Sequence, residues 1–173
     1  MKTNLLSPQK DPMGSAIADY FAKGRAAKLR VFSSQFEEDE IPAEQLFRTF
    51  DEMPELEQEA LRLASGKILD CGAGSGCHAL ALQEIGKEVE AIDISSLSVE
   101  VMQKRGVRQA YQINLFDENY LQKFDTILML MNGSGIPKQK RSTDWHSVFV
   151  LAQREGFEPS CALAQTDFES APL

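Results

Sequence analysis

The run Leu69-Asp70-Cys71-Gly72-Ala73-Gly74-Ser75-Gly76 sets the strongest limit on the fold. Three glycines in five positions follow a short apolar stretch, Lys67 to Cys71. They precede a helical apolar pattern from Cys77 to Ile85 that stops at Gly86. A strand, a tight loop and a helix in immediate succession form the building unit of a doubly wound α/β sheet, and such a loop is where the sheet meets its ligand. Gly72 and Gly74 let the backbone turn sharply and let a ligand approach with no Cβ in the way. The helix start beyond them offers free N–H groups that favour a negatively charged group such as a carboxylate.

The unit repeats downstream. Val89-Glu90-Ala91-Ile92-Asp93 predicts a second strand. Ser95 or Ser96 then caps a helix carrying Val99, Val101 and Met102, which ends at Gly106. Residues 107–113, VRQAYQI, predict a third strand. Residues 124–131, FDTILMLM, predict a fourth, and its nearly continuous apolar run predicts burial on both faces. Asp93 ends the second strand, 21 residues after Gly72. A carboxylate there is able to accept hydrogen bonds from both hydroxyls of a ribose.

Upstream of the loop the signals are helical. Ile17, Tyr20 and Phe21 have the spacing of a short amphipathic helix, whereas residues 24–36 show no clear period. Between Pro42 and Ser65 the apolar positions Leu46, Phe47, Phe50, Met53, Leu56, Ala60, Leu61 and Leu63 predict two helices broken at Pro54. Glu52, Glu55, Glu57 and Glu59 read as a solvated face.

Composition narrows the function classes. With 173 residues, 43% apolar and 25% charged, the chain matches one globular domain and excludes collagen-like, disulfide-scaffold and wholly disordered classes. A net charge of -8 weighs against an electrostatic grip on nucleic acid and favours a neutral or cationic small molecule, or a protein, as partner. No apolar run approaches the roughly 20 residues of a membrane span, and MKTNLLSPQKDP has no apolar signal core. The three cysteines are too few for a disulfide framework, so the expected home is the reducing cytoplasm. Cys71, Cys77 and His78 lack zinc-ligand spacing and read as packing residues, so no metal is expected. His146 carries no motif.

The loop spacing is G-x-G-x-G rather than the G-x-G-x-x-G of dinucleotide folds, and Asp70 stands two positions before its first glycine. With Asp93-Ile94-Ser95, residues 66–136 resemble the class I S-adenosylmethionine-dependent methyltransferases. The resemblance implies a Rossmann-like doubly wound parallel sheet and S-adenosylmethionine as cofactor. Its implied binding residues are Asp70, Gly72, Ala73, Gly74, Gly76, Asp93, Ile94, Asn114, Leu115 and Asn132. Asn114 stands where the family often has an Asp that reaches the adenine amino group. Asn132 ends the fourth strand beside the methyl donor, and it reads equally well as a turn residue. The implied reaction is attack by a nucleophile on the sulfonium methyl, releasing S-adenosylhomocysteine. No catalytic base is legible, and neither is the acceptor. The upstream helices resemble the cover such enzymes place over the cofactor. Tyr20, Phe47 and Arg48 are candidates within it, each also readable as core or surface. The chain thus divides into a helical cover (1–65), a cofactor-binding core (66–137) and a tail (138–173).

The tail departs from the family pattern. A complete domain of this kind has seven strands, and only 38 residues follow Gly135. Phe-Glu occurs twice, in Gly156-Phe157-Glu158-Pro159-Ser160 and in Asp167-Phe168-Glu169-Ser170. The codons TTC-GAA contain the TTCGA core of transfer-RNA genes. The tail therefore reads either as a shifted or run-on frame or as a genuine tail with a chance repeat. A sheet cut short after its fourth strand leaves an apolar edge that invites self-association, unless the one remaining β-like run, Val148 to Leu151, docks there. The expectation is a methyltransferase cut short, with a non-catalytic cofactor-binding remnant or partner subunit as the alternative.

Overall fold

The N-terminal helix begins where Asp11 caps it. In the computed structural model, which describes residues 5–31, 39–117, 120, 122–131, 148–150 and 163–164, the Gly14 N–H donates to the Asp11 carboxylate at 2.7 Å. Helix α1 then runs Pro12–Lys23, with proline in its first turn, and closes at Gly24 with φ +65°. An antiparallel ribbon follows, β1 (Leu29–Val31) and β2 (Asp39–Ile41). Two 3-10 turns, Ala43–Phe47 and Phe50–Glu52, lead into α2, Glu55–Leu63.

The alternating part is β3 (Ile68–Cys71), α3 (Cys77–Glu84), β4 (Val89–Asp93), α4 (Ser96–Arg105), β5 (Ala110–Gln112) and β6 (Thr126–Leu128). Two further short strands are β7, Val148–Val150, and β8, Leu163–Ala164. The sheet order is β5-β4-β3-β6-β7-β8. Every pair is parallel except β7 with β8. The architecture is the expected α/β doubly wound sheet.

Side chains alternate across the sheet with the period of two that a strand imposes. Ile68, Ala91 and Leu128 face Leu61, Leu82 and Met102 of the helices. Leu69, Cys71, Ile92 and Ile127 form the opposite core with Phe124 and Met129. Burial on both faces explains why β6 lies in a nearly continuous apolar run. The cover is fastened to the sheet by polar contacts. The Lys87 ammonium donates to the Leu61, Arg62 and Ala64 carbonyls at 2.8, 2.6 and 2.6 Å, satisfying the C-terminal end of α2.

Several expectations change here. The helix expected before Pro54 is two 3-10 turns, because Arg48 and Thr49 have extended backbone, with ψ of 144° and 168°. Thr49 then caps the next turn, and Glu52 accepts from its N–H and hydroxyl at 2.8 and 2.9 Å. The ribbon of β1 and β2 had no legible period. Phe21 is exposed, and Gly14, Ala16 and Ile17 form the inner face of α1 instead. Glu57 is buried, not solvated. The fourth strand has a neighbour on both sides, since β7 pairs with β6 in register Thr126↔Val148 to Leu128↔Val150. Residues 148–150 of the β-like run thus lie where an open edge was expected, and Leu151 lies outside the described residues. Among the described residues no helix is long and apolar enough to cross a membrane.

Candidate functional site

The glycine loop is a backbone device. Gly72, Gly74 and Gly76 have φ of +72°, +56° and +81°, a region that side chains disfavour. The Gly72 and Ala73 N–H groups donate to the Ile92 carbonyl at 2.9 and 3.1 Å, which pins the loop to the end of β4. The Gly74 N–H donates to the Asp93 carboxylate at 3.0 Å, and the Ser95 N–H donates to its other oxygen at 2.9 Å. Burial raises the Asp93 carboxyl above its ordinary value, and these two N–H groups oppose the rise.

Gly76 serves a different purpose. A Cβ there would meet Val107 Cγ2 at 2.8 Å and Met102 Cγ at 2.9 Å, so its missing side chain makes room for the core. As the N-cap of α3 it has no side chain to cap with. Asp70 supplies that function from the end of β3, accepting from the Ala79 N–H in the first turn. Asp70 is 2% exposed, and its Oδ2 has no hydrogen-bond partner among the described residues. Burial raises the Asp70 carboxyl above its usual value.

Two cavities meet at Gly72 and Asp93. The larger, about 450 Å³, runs from the loop beneath the cover, between Asp70 and Gly74 on one side and Ile17, Leu46 and Arg48 on the other. The smaller, about 290 Å³, lies against Ile94, Ile113, Asn114 and Leu115. Ser75 ties cover to loop, its hydroxyl donating to the Leu46 carbonyl while Arg105 donates to its backbone and side-chain oxygens at 2.7 Å.

The loop lies within a region, residues 69–132, that matches the methyltransferase domain family. The chain is also 68% identical to a SAM-dependent methyltransferase from Bacteroides fragilis, solved in complex with S-adenosyl-L-homocysteine, with a TM-score of 0.74. That likeness covers 79% of this chain and 56% of the Bacteroides protein. The chain belongs to the class I S-adenosylmethionine-dependent methyltransferases. The CcbJ methyltransferase from Streptomyces caelestis is 17% identical over 70% of this chain and 45% of its own, with a TM-score of 0.45. No curated protein matches.

Within this methyltransferase fold, the residues singled out in the sequence divide into groups. Asp70, Gly72, Ala73, Gly74 and Asp93 line the larger cavity. Gly72, Asp93, Ile94, Asn114 and Leu115 line the smaller. The Asn114 Oδ1 accepts from the Phe116 N–H at 3.0 Å, forming a local turn that holds the side chain in place. Gly76 faces the core, and Asn132 lies outside the described residues. Of the cover candidates, Arg48 lines the larger cavity, whereas Tyr20 and Phe47 stack on each other with ring centres 4.8 Å apart. Burial pushes the Cys71 thiol up to about 12, so it behaves as a packing group. Among the described residues no group of three or more His, Cys, Asp or Glu is arranged to hold a metal ion.

Sequence reading missed a buried charged chain beside this cleft. Arg48 Nη2 donates to both Glu57 oxygens, at 3.1 and 2.8 Å. Glu57 Oε2 lies 3.1 Å from His78 Nε2. Desolvation would raise the Glu57 carboxyl, but the His78 and Arg48 partners outweigh it and hold the pKa below the usual value. Desolvation would likewise lower the His78 pKa, but Cys77, Glu57 and Asp70 outweigh it and hold it well above 6.5. The one legible signal was the spacing of Glu57 from Ala60 and Leu61, which places all three on the buried face of α2.

This pair makes stability depend on pH in a defined direction. The His78 imidazolium stabilises the fold fully below its unfolded value of 6.5, and the contribution is lost as pH rises through the higher folded value. The Glu57 carboxylate contributes above its unfolded value of 4.5, and that is lost as pH falls through the lower folded value. Both contributions are therefore complete between pH 4.5 and 6.5. His78→Gln is expected to lower Tm most in that window and progressively less at alkaline pH. A deficit that grows with pH would contradict the assignment.

Proposed function

We propose that this chain binds S-adenosylmethionine across the two cavities and presents its methyl group to an acceptor. The observation that carries the reading is that Gly72 and Asp93 are shared by both cavities. A nucleoside with an amino-acid arm needs such a site, with a ribose acceptor in the middle, a flat apolar slot on one side and a polar cleft on the other. The residues fit this ligand. Asp93 spends only part of its acceptor capacity on Gly74 and Ser95, leaving room for ribose hydroxyls. Ile94, Ile113 and Leu115 offer apolar surface for an adenine, and Asn114 offers amide hydrogens at its edge. Asp70 lines the cleft where the ammonium of the amino-acid arm would lie.

When bound, the cofactor supplies a methyl group activated on a sulfonium centre. The chain's contribution is to hold that centre at the mouth of the larger cleft and to keep water away with Ile17, Leu46, Leu56 and Leu130. Residues 66–137 serve as the binding core in this reading, and residues 1–65 close over it. The free, buried thiols of Cys71 and Cys77 suit a reducing compartment such as the cytoplasm. Self-association through β6 would require β7 to leave it, so a dimer seen by light scattering should lose the hydrogen-exchange protection of residues 148–150.

Calorimetry with S-adenosylmethionine, S-adenosylhomocysteine and NAD, run in parallel on the full chain, tests the reading. The first two are expected to bind and NAD to give no heat. Binding of NAD alone, or of none of the three, would overturn it.

A further inference from the structure

Four carboxylates line the larger cleft: Glu55, Glu57, Asp70 and Asp93. Three of them are engaged within the protein. Glu57 faces Arg48 and His78, at 2.8 and 3.1 Å. Asp70 caps α3 through the Ala79 N–H, and Asp93 holds the Gly74 and Ser95 N–H groups at 3.0 and 2.9 Å. Glu55 differs from all three. It is the first residue of α2, it is exposed, and among the described residues no hydrogen bond or ion pair engages its carboxylate. The cationic side chains that line the cleft, Arg48 and His78, both face Glu57. Among the described residues the cleft thus offers an incoming molecule one open carboxylate and no cation without a carboxylate partner.

The walls around Glu55 are apolar. Ile41, Leu46, Pro54 and Leu56 come from the cover, and Leu130 and Met131 follow β6. Gln45, the remaining polar side chain of the cover there, is neutral. Apolar walls with one open carboxylate complement a molecule with an apolar body and a cationic head. An anionic head would give up its hydration only to meet like charge. The net charge of -8 acts in the same sense.

The chemistry narrows the head further. A hydroxyl has to lose its proton as it attacks, and it needs a positioned base to take it. Glu57 and His78 are tied to each other, and a solvated carboxylate is a weak base. An amine brings its own lone pair and needs only a counter-charge. We propose that this cleft takes an amine with an apolar body as the methyl acceptor, and that Glu55 holds its nitrogen. The inference rests on the cofactor reading above and adds the acceptor class. The bound ammonium first gives a proton to water. Its nitrogen lone pair then forms a bond to the methyl carbon as the carbon–sulfur bond breaks and leaves its electron pair on sulfur. The positive charge passes from sulfur to nitrogen, beside the Glu55 carboxylate, and the methylated ammonium releases its extra proton to water.

Titration calorimetry on the full chain saturated with S-adenosylhomocysteine compares hexylamine, hexanol and hexanoate at neutral pH, three probes with one body and different heads. Hexylamine is expected to bind about 10- to 100-fold tighter than hexanol, the range of one charge-assisted hydrogen bond, and hexanoate more weakly than either. Glu55→Gln should bring hexylamine to within about twofold of hexanol, with the affinities for hexanol and S-adenosylhomocysteine changed by no more than about twofold. Glu55→Asp should keep part of the preference, because it keeps the charge on a shorter stem. Glu59→Gln removes an exposed carboxylate of the same helix that does not line the cleft, and it should keep the whole preference. A preference that survives in Glu55→Gln would overturn the proposal. An equal drop in Glu59→Gln would do the same, since it would leave only the overall charge. Tighter binding of hexanol or hexanoate, or binding of none of the probes, would also overturn it. In each of these cases the cofactor reading stands. Failure of the natural chain to bind S-adenosylhomocysteine at the outset would remove that reading and this inference with it.

Discussion

Gly74→Val is expected to fold and yet lose S-adenosylhomocysteine binding, with Kd rising by about 100-fold or more, whereas Gly76→Val is expected not to fold. The difference follows from where each missing side chain points. At Gly74 a Cβ would find only Ile17 Cδ1, at 3.7 Å, so the protein has room for it. It would stand in the cleft, and φ of +56° costs a side-chain-bearing residue about 1 to 2 kcal/mol, more when β-branched. The loop would relax away from that angle and carry the Gly74 N–H off the Asp93 carboxylate. Gly72→Val, with φ +72° at the junction of both cavities, should behave in the same way. At Gly76 a Cβ would enter the core between Met102 and Val107, at 2.9 and 2.8 Å. Overpacking of this kind costs about 1 to 3 kcal/mol before the strain of φ +81° is added. Thermal melts and calorimetry on the same preparations separate the two results. Normal binding by Gly74→Val would reduce the loop to a packing turn.

Asp93→Ala is the second large effect. It removes the proposed acceptor for the ribose hydroxyls, worth about 1.5 to 3 kcal/mol or roughly 10- to 100-fold in Kd. It also frees the Gly74 and Ser95 N–H groups that the carboxylate holds at 3.0 and 2.9 Å, so the loop loses its anchor. Asp93→Asn keeps one acceptor oxygen and should show a smaller loss. The two variants together distinguish ribose recognition from loop anchoring. If binding falls only in step with Tm, Asp93 serves the loop alone. If Asp93→Ala binds S-adenosylhomocysteine with unchanged affinity, Asp93 is no part of the site.

The strands and helices of the alternating region were legible because their signals are local. The periodicities of two and 3.6, the glycine stops at Gly86 and Gly106 and the Ser95 cap each lie within one element. Asp70 and Asp93 were legible as candidates because a strand-loop-helix unit fixes where a strand ends: Asp70 is the last residue but one of β3, and Asp93 ends β4. Their tasks were only partly legible. That Asp70 caps α3 while one oxygen is left over, and that Gly76 serves the core rather than the cleft, depends on distances between elements.

The cover shows the boundary between the two kinds of information. Its apolar positions were visible, but helical spacing over 42–53 did not produce a helix, because Arg48 and Thr49 are extended. Glu57 looked like one of four surface acids, and its neighbours in sequence give no hint of Arg48 or His78. A single sequence orders residues along one line, and nine or twenty-one positions along that line carry no pairing signal of their own. The first four parallel strands, the loop and the family could be read along the chain. Which charges are buried together emerged only on folding, because the energy of a buried ion pair depends on separation and desolvation in space, neither of which is written in the local pattern.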